Sequence, residues 1–120
     1  MIATKRVYDP ADDDGTRVLI MRLWPRGIRK SRVDVWLKEL GPVLPLLRAI
    51  RAGEITWTEY TRRYLRGLAR PEAQAQLATV RAAAKMGRVT LLCGCQDETR
   101  CHRSLLRAHL LDRSSPPARW

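Results

Sequence analysis

Two short and almost unbroken apolar runs, at residues 17–23 and 89–93, constrain the fold of this 120-residue chain most strongly. A continuous run predicts a strand that is buried on both faces, as strands of parallel sheets are, whereas a half-exposed strand alternates apolar and polar residues. Turn-forming residues follow each run, so we predict two neighbouring central strands. A further strand is predicted at residues 2–8, before the Asp9-Pro10 turn.

Helical patterns occupy the middle of the chain. Apolar residues with helical spacing predict a first helix from Ser31 to the Gly41-Pro42 stop and a second helix over residues 43–52. The spacing rests on Val33, Trp36, Leu37 and Leu40 in the first helix and on Val43, Leu46, Leu47 and Ile50 in the second.

Three later helices have recognisable starts. Thr56 and Glu59 match a capping box, and Pro71 fits the first position of an alanine-rich helix that runs to about residue 86. A last helix follows the second apolar run. The aromatic residues of the capped helix, Trp57, Tyr60 and Tyr64, lie at helical spacing and are predicted to be core residues instead of a base-stacking platform.

This order of elements predicts an α/β fold, with three α/β/α layers around a small, mostly parallel central sheet. We expect one domain over residues 1–113 and a poorly ordered tail at residues 114–120, which is rich in Pro and Ser.

Composition narrows the class of protein. Hydrophobic residues make up 45% of the chain, as in a folded globular protein, and no apolar run is long enough for a membrane helix, so no membrane partner is expected. The N-terminal residues lack the apolar segment of a signal peptide. Three cysteines without an export signal predict free thiols and a reducing cytoplasm. The oligomeric state is left open.

The formal net charge of +11 favours anionic partners, which are phosphate, nucleotides or nucleic acid. The basic residues are spread along the chain without a dense block, so surface solvation is the alternative explanation. The acidic stretch at residues 11–15 lacks the spacing of a calcium loop and is predicted to be a solvated turn.

Two segments are predicted to form one anion-binding site. Arg22 and Arg26 flank Trp24 and Pro25, where the first apolar run leaves the sheet, and ligands of open α/β sheets bind beyond the carboxyl ends of strands. The second run leads to Cys95, Cys101, His102 and Arg103. A helix N-terminus is already positive, so a basic start to the last helix indicates a visiting anion.

We therefore predict the following roles. Cys101 is the candidate nucleophile, with a pKa expected to be lowered by the helix N-terminus, and His102 is an acid, a base or an orienting group for that thiol. The residues predicted to bind substrate are Arg22, Trp24, Arg26, Cys95 and Arg103. The alternative is that Arg103 pairs with a local acid such as Asp9 or Asp97.

Other chemistry of the cysteines is kept as an alternative. Cys93, Cys95, Cys101 and His102 are four candidate zinc ligands, but their C-x-C-x5-C-H spacing is not a standard zinc knuckle. Adjacent residues on a helix also point about 100° apart, so Cys101 and His102 are expected to diverge. A Cys95–Cys101 redox pair is a further alternative. No metal and no cofactor are assigned.

Four motifs resemble one known family. The sequences KRVYDP at 5–10, G-x-R-V-L at 15–19, RLWPRGI at 22–28 and the TLLC…CHR segment at 90–103 are similar to the bacterial proteins of domain of unknown function 488, including its YeaO-like branch. The resemblance implies a three-layer α/β fold in a small cytoplasmic protein, without an established reaction. Family members usually carry an aspartate before the arginine, where this chain has Met21.

These observations favour an enzyme-like pocket for a phosphate-containing substrate, either a nucleotide or nucleic acid. The alternatives are a non-catalytic nucleic-acid-binding module and a metal-binding protein that uses the Cys/His residues.

Overall fold

The computed structural model describes residues 1–112, apart from the side chain of Glu98. The strands are β1 (Ile2–Arg6), β2 (Thr16–Leu19), β3 (Val35–Trp36) and β4 (Val89–Cys93), and the helices are α1 (Leu44–Arg51), α2 (Trp57–Gly67), α3 (Pro71–Met86) and α4 (His102–Leu111). Short 3-10 turns occupy Lys30–Arg32, Lys38–Leu40 and Glu98–Arg100. The tail predicted at residues 114–120 lies outside the described residues.

The four strands form one parallel sheet in the order β1-β4-β2-β3. Every residue of β4 is buried, and Leu91 lies opposite Thr4 of β1 and Val18 of β2. This arrangement confirms the predicted α/β class and the pairing of the two apolar runs.

The two faces of the sheet are covered differently. Val89 and Leu91 of β4 belong to a core that receives apolar side chains from all four helices. Leu92, with Val7 and Leu19, packs on the opposite face. Irregular chain between β2 and β3 covers that second face and contributes Met21, Trp24, Ile28 and Val33. The third layer of the described chain is therefore built from loop and 3-10 turns.

The helix predicted to begin at Ser31 is wrong, because this segment pairs with the sheet. Val35 and Trp36 form the short strand β3 beside Val18 and Leu19, and the Leu37 N–H donates to the Leu19 carbonyl at 2.9 Å. The open edge of β2 offers backbone partners, and this tertiary pairing overrides the helical spacing of the side chains.

The later helices begin where the sequence predicts. Thr56 Oγ1 accepts a hydrogen bond from the Glu59 backbone N–H at 3.1 Å, and Pro71 starts α3. The capping box is only half formed, because the Glu59 carboxylate binds Arg62 and Arg63. Within residues 1–112, no helix has both the length and the apolar character needed to cross a bilayer.

Asp14 departs from the predicted solvated turn, because it is buried at the amino end of the sheet. Its carboxylate pairs with Lys5 at 3.1 Å and with Arg17, and its carbonyl accepts from Thr90 Oγ1 at 2.7 Å. Gly15 follows in a left-handed conformation (φ +65°), and an added Cβ would lie 2.1 Å from the Arg88 carbonyl oxygen. These contacts tie the starts of β2 and β4 together.

Candidate functional site

A cavity of about 440 Å³ lies beyond the carboxyl ends of β2 and β4. Chain leaving β2 forms one wall, through Met21, Arg22 and Leu23, and α1 and α2 form another, through Leu47, Ile50, Trp57 and Tyr60. The β4–α4 segment supplies Cys93, Gly94, Cys95, Arg100, Cys101 and His102. The cavity therefore joins an apolar and aromatic wall to a cluster of thiols and an imidazole.

The chain after β4 brings the three cysteines together. Cys93 ends the strand, and because side chains two residues apart in extended chain share a side, the Sγ atoms of Cys93 and Cys95 lie 3.6 Å apart. Asp97 then caps the 3-10 turn by accepting from the Thr99 N–H at 3.0 Å. This turn returns the chain to Cys101, which is the N-cap of α4 and is 1% exposed.

His102, the first residue of α4, is held in a defined orientation. Its Nε2 lies 2.6 Å from the carbonyl oxygen of Ile20. A carbonyl can only accept, so Nε2 carries the hydrogen and Nδ1 keeps a free lone pair. Nδ1 lies 3.7 Å from Cys93 Sγ and 4.0 Å from Cys101 Sγ.

Four donor atoms thus share one small volume. The sulfurs of Cys93, Cys95 and Cys101 and a ring nitrogen of His102 all lie within 4.8 Å of one another. The expected divergence of Cys101 and His102 does not occur, because Cys101 precedes the helix in extended backbone (φ −134°, ψ 142°). Soft sulfur and imidazole donors in this arrangement could hold a zinc-type metal ion.

The thiols differ in their acidity. Hydrogen bonding with the Cys101 and Cys93 thiols lowers the pKa of Cys95, and the nearby charges of His102 and Arg103 lower it further. Hydrogen bonding to Cys93 and Cys95, together with burial, raises the pKa of Cys101, contrary to the expectation for a thiol at a helix N-terminus. Negative charge in the cluster therefore resides on Cys95, which is half-buried.

Arg22 lines the cavity, but its charge is already compensated. Its guanidinium donates to Glu39 Oε1 at 2.8 Å and to the Gly41 carbonyl at 3.2 Å, and Arg70 binds the same carboxylate at 3.0 Å. These hydrogen bonds from Arg22 and Arg70 lower the pKa of Glu39. Arg22 is therefore fixed in the wall by the protein itself.

Three other predicted binding residues lie away from the cavity. Trp24 donates from Nε1 to the Ile28 carbonyl at 2.8 Å and packs edge-on against Trp36, and Arg26 is exposed on the turn that follows. Arg103 is buried, and it donates to the Cys95 carbonyl at 2.8 Å instead of pairing with Asp9 or Asp97. The structure thus brings together Arg22, Cys95, Cys101 and His102.

Sequence reasoning missed several cavity residues. Arg51, at the end of α1, and Arg100, in the turn before Cys101, are exposed at the cavity, and neither forms a hydrogen bond or ion pair with another of residues 1–112. Only Arg100 carried a signal, because it belongs to the basic cluster before α4. Tyr60 is buried as predicted for a core residue, yet it also lines the cavity beside Trp57, whose ring stacks on it at 5.0 Å.

Comparison with known proteins places these features in a family. Residues 2–114 match the model of the family DUF488-N3a, described as the active DUF488-N3 subclade. The chain is 38% identical over 109 residues to the uncharacterized protein YeaO of Escherichia coli K12, which covers 88% of this chain and 92% of that protein. It is 34% identical over 114 residues to uncharacterized proteins of Mycobacterium bovis and Mycobacterium tuberculosis, which covers 92% of this chain and 93% of each relative. No solved structure matches the chain significantly.

Proposed function

We propose that this chain, which belongs to the DUF488 family, is an enzyme that takes a small phosphate-bearing molecule of nucleotide type into the cavity above the Cys/His cluster. One observation carries the proposal. A single cavity of about 440 Å³ combines an aromatic wall, exposed arginines and chemically reactive side chains at the carboxyl end of a parallel sheet. Small-molecule sites have volumes of about 300–1,000 Å³ and are mostly apolar with a few convergent polar groups.

The two kinds of cavity surface match the two parts of such a ligand. Leu47, Ile50 and Trp57 offer an apolar surface suited to a planar base. Arg51 and Arg100 have no partner among residues 1–112, so their guanidinium groups are available for a phosphate. Arg22 shapes the wall but spends its hydrogen bonds on Glu39 and Gly41.

Chemistry at the Cys/His cluster is part of the proposal. His102 and the three thiols line the same cavity, and the matching subclade is described as active. Cys101 supports the role of a free nucleophile poorly, because it is 1% exposed and its pKa is raised. The reactive group is therefore sought in the cluster as a whole.

Calorimetric titration with AMP, adenosine and inorganic phosphate tests the binding. AMP should bind most tightly, because it uses both the apolar wall and the arginines. The double variant Arg51→Ala/Arg100→Ala should lose about tenfold or more in AMP affinity, since a hydrogen bond to a charged group contributes about 1.5–3 kcal/mol. Arg66→Ala, which removes an exposed arginine of α2 outside the cavity lining, is the matched control and should bind AMP normally.

Equal loss in the control and the double variant would mean that binding follows net charge alone. Together with steeply salt-dependent binding of an oligonucleotide, that result would favour the non-catalytic nucleic-acid-binding module. Failure of all three probes to bind would overturn the nucleotide-type ligand.

A further inference from the structure

We propose that Cys93, Cys95, Cys101 and His102 bind one Zn²⁺ ion, with His102 coordinating through Nδ1. This inference goes beyond the proposed function and is independent of it, because it rests on the four donor atoms and their surroundings and not on any ligand of the cavity.

The distances match a tetrahedral zinc site. Zinc–sulfur bonds of about 2.3 Å and zinc–nitrogen bonds of about 2.0–2.1 Å place tetrahedral sulfurs about 3.8 Å apart and sulfur about 3.5 Å from nitrogen. The corresponding distances here are 3.6 Å between Cys93 Sγ and Cys95 Sγ, and 3.7 and 4.0 Å from His102 Nδ1 to Cys93 Sγ and Cys101 Sγ. The longest separation among the four donors is at most 4.8 Å, so only a small contraction is needed.

His102 is prepared for coordination by its second nitrogen. The Nε2–H donates to the Ile20 carbonyl at 2.6 Å, and this hydrogen bond fixes both the tautomer and the ring orientation. Histidine ligands in metal sites are commonly held in this way by a carbonyl or carboxylate, which also makes the coordinating nitrogen more basic. The lone pair of Nδ1 then points toward the sulfurs.

A buried arginine supplies a further argument. Arg103 is 3% exposed, and it has no carboxylate within ion-pair distance among the residues that the structure describes. A buried cation needs a compensating negative charge. Three thiolates, one neutral imidazole and Zn²⁺ sum to one negative charge, and Arg103 binds the carbonyl of the ligand Cys95 at 2.8 Å. The metal site therefore provides the missing counter-charge.

Soft sulfur donors select zinc over magnesium or calcium, which prefer oxygen. Four protein ligands fill a tetrahedron and leave no open position, so we assign the ion a structural role. It fixes the β4–α4 segment, which forms the floor of the cavity. With Zn²⁺ bound, Cys101 is a ligand and is not available as a nucleophile.

Metal analysis of untagged protein, purified without chelators, tests the inference. We expect one zinc per chain by elemental mass spectrometry. After removal of the metal, Co²⁺ should restore one equivalent of binding, with the visible absorption of a tetrahedral site and a near-ultraviolet thiolate-to-cobalt band. Zn²⁺ should displace the cobalt and should protect all three cysteines from alkylation.

Variants identify the ligands. Cys95→Ser and His102→Gln should each weaken Zn²⁺ binding by more than about tenfold, since loss of even an outer-shell partner costs about 10–100-fold. His109→Gln changes the other histidine of α4, outside the cluster, and should retain one zinc. Circular dichroism establishes that each variant is folded, and the cobalt spectrum of the unmodified chain decides the matter if a variant is not.

Three results would overturn the zinc site. They are protein that binds neither Zn²⁺ nor Co²⁺ with its thiols reduced, a chain whose mass is lower by two hydrogens because a disulfide has formed, and iron together with acid-labile sulfide. AMP binding is measured separately in the metal-loaded chain, so the zinc site and the nucleotide-type ligand fail or succeed independently.

Discussion

The two ends of the parallel sheet carry ionisable groups in opposite situations. At the amino end, the buried Asp14 carboxylate pairs with Lys5 and Arg17, and each of these charges has a protein partner. At the carboxyl end, three thiols and His102 line a cavity. Arg51 and Arg100 lie at the same cavity without a partner in the described chain. Charges that are satisfied internally stabilise a fold, whereas donors and cations that converge on open volume are available to a ligand.

Asp14→Ala should break this comparison most severely at the amino end. It leaves Arg17, which is 7% exposed, without its carboxylate, and removal of one partner of a buried ion pair costs about 3–5 kcal/mol. Urea unfolding measures the loss. Asp12→Ala, in the exposed part of the same acidic stretch, should change stability by less than about 0.5 kcal/mol. A similar loss in both variants would contradict the structural role of Asp14.

Gly41→Ala should disturb the carboxyl end through packing. An added Cβ would lie 2.5 Å from the Arg22 backbone nitrogen, so the cavity wall must move, and such overpacking costs about 1–3 kcal/mol. We expect lower stability in urea and weaker AMP binding. Gly67→Ala has its nearest neighbour at 3.8 Å, within α2, and should be neutral or slightly stabilising. Normal AMP binding by Gly41→Ala would separate Arg22 from the ligand site.

Glu39→Gln sharpens the comparison through pH. Hydrogen bonds from Arg22 and Arg70 lower the pKa of Glu39, so its contribution is present above the ordinary value of 4.5 and is lost as the pH falls through the lowered value. The variant should be less stable by about 1 kcal/mol at pH 7, since it weakens hydrogen bonds to charged groups. The difference from the unmodified chain should shrink in acid.

Chemical denaturation at pH 7 and in acid measures this dependence. Glu54→Gln, at an exposed loop position, is the matched control and should follow the unmodified chain at every pH. A difference that grows in acid would have the opposite sign and would exclude the assigned role of Glu39.

Arg100→Ala should have the smallest effect on stability, within about 0.5 kcal/mol, because it is exposed and pairs with no residue of the described chain. Its expected effect is on AMP affinity alone. Thermal unfolding with and without AMP measures both, since a bound ligand raises the unfolding temperature in proportion to its affinity. A large loss of stability without ligand would place Arg100 among the structural residues instead.

The sequence by itself determined the α/β class and most helix starts. The apolar runs of β2 and β4 have few alternatives to burial in a parallel sheet, and the ends of α2 and α3 follow from local features at Thr56, Pro71 and Gly87. It also placed the cysteines of the β4–α4 segment near a strand end, because their positions along the chain fix that much.

Only the tertiary structure decided what those residues meet. The segment after Ser31 pairs with β2 because an open strand edge outweighs a helical pattern, and Asp14 is buried because Lys5 and Arg17 surround it. Cys101 and His102 converge because Cys101 stays extended before α4 and the Ile20 carbonyl holds His102. Glu39, from a distant turn, neutralises Arg22. Spacing along the chain does not contain these contacts, since each depends on segments that approach only when the sheet has formed.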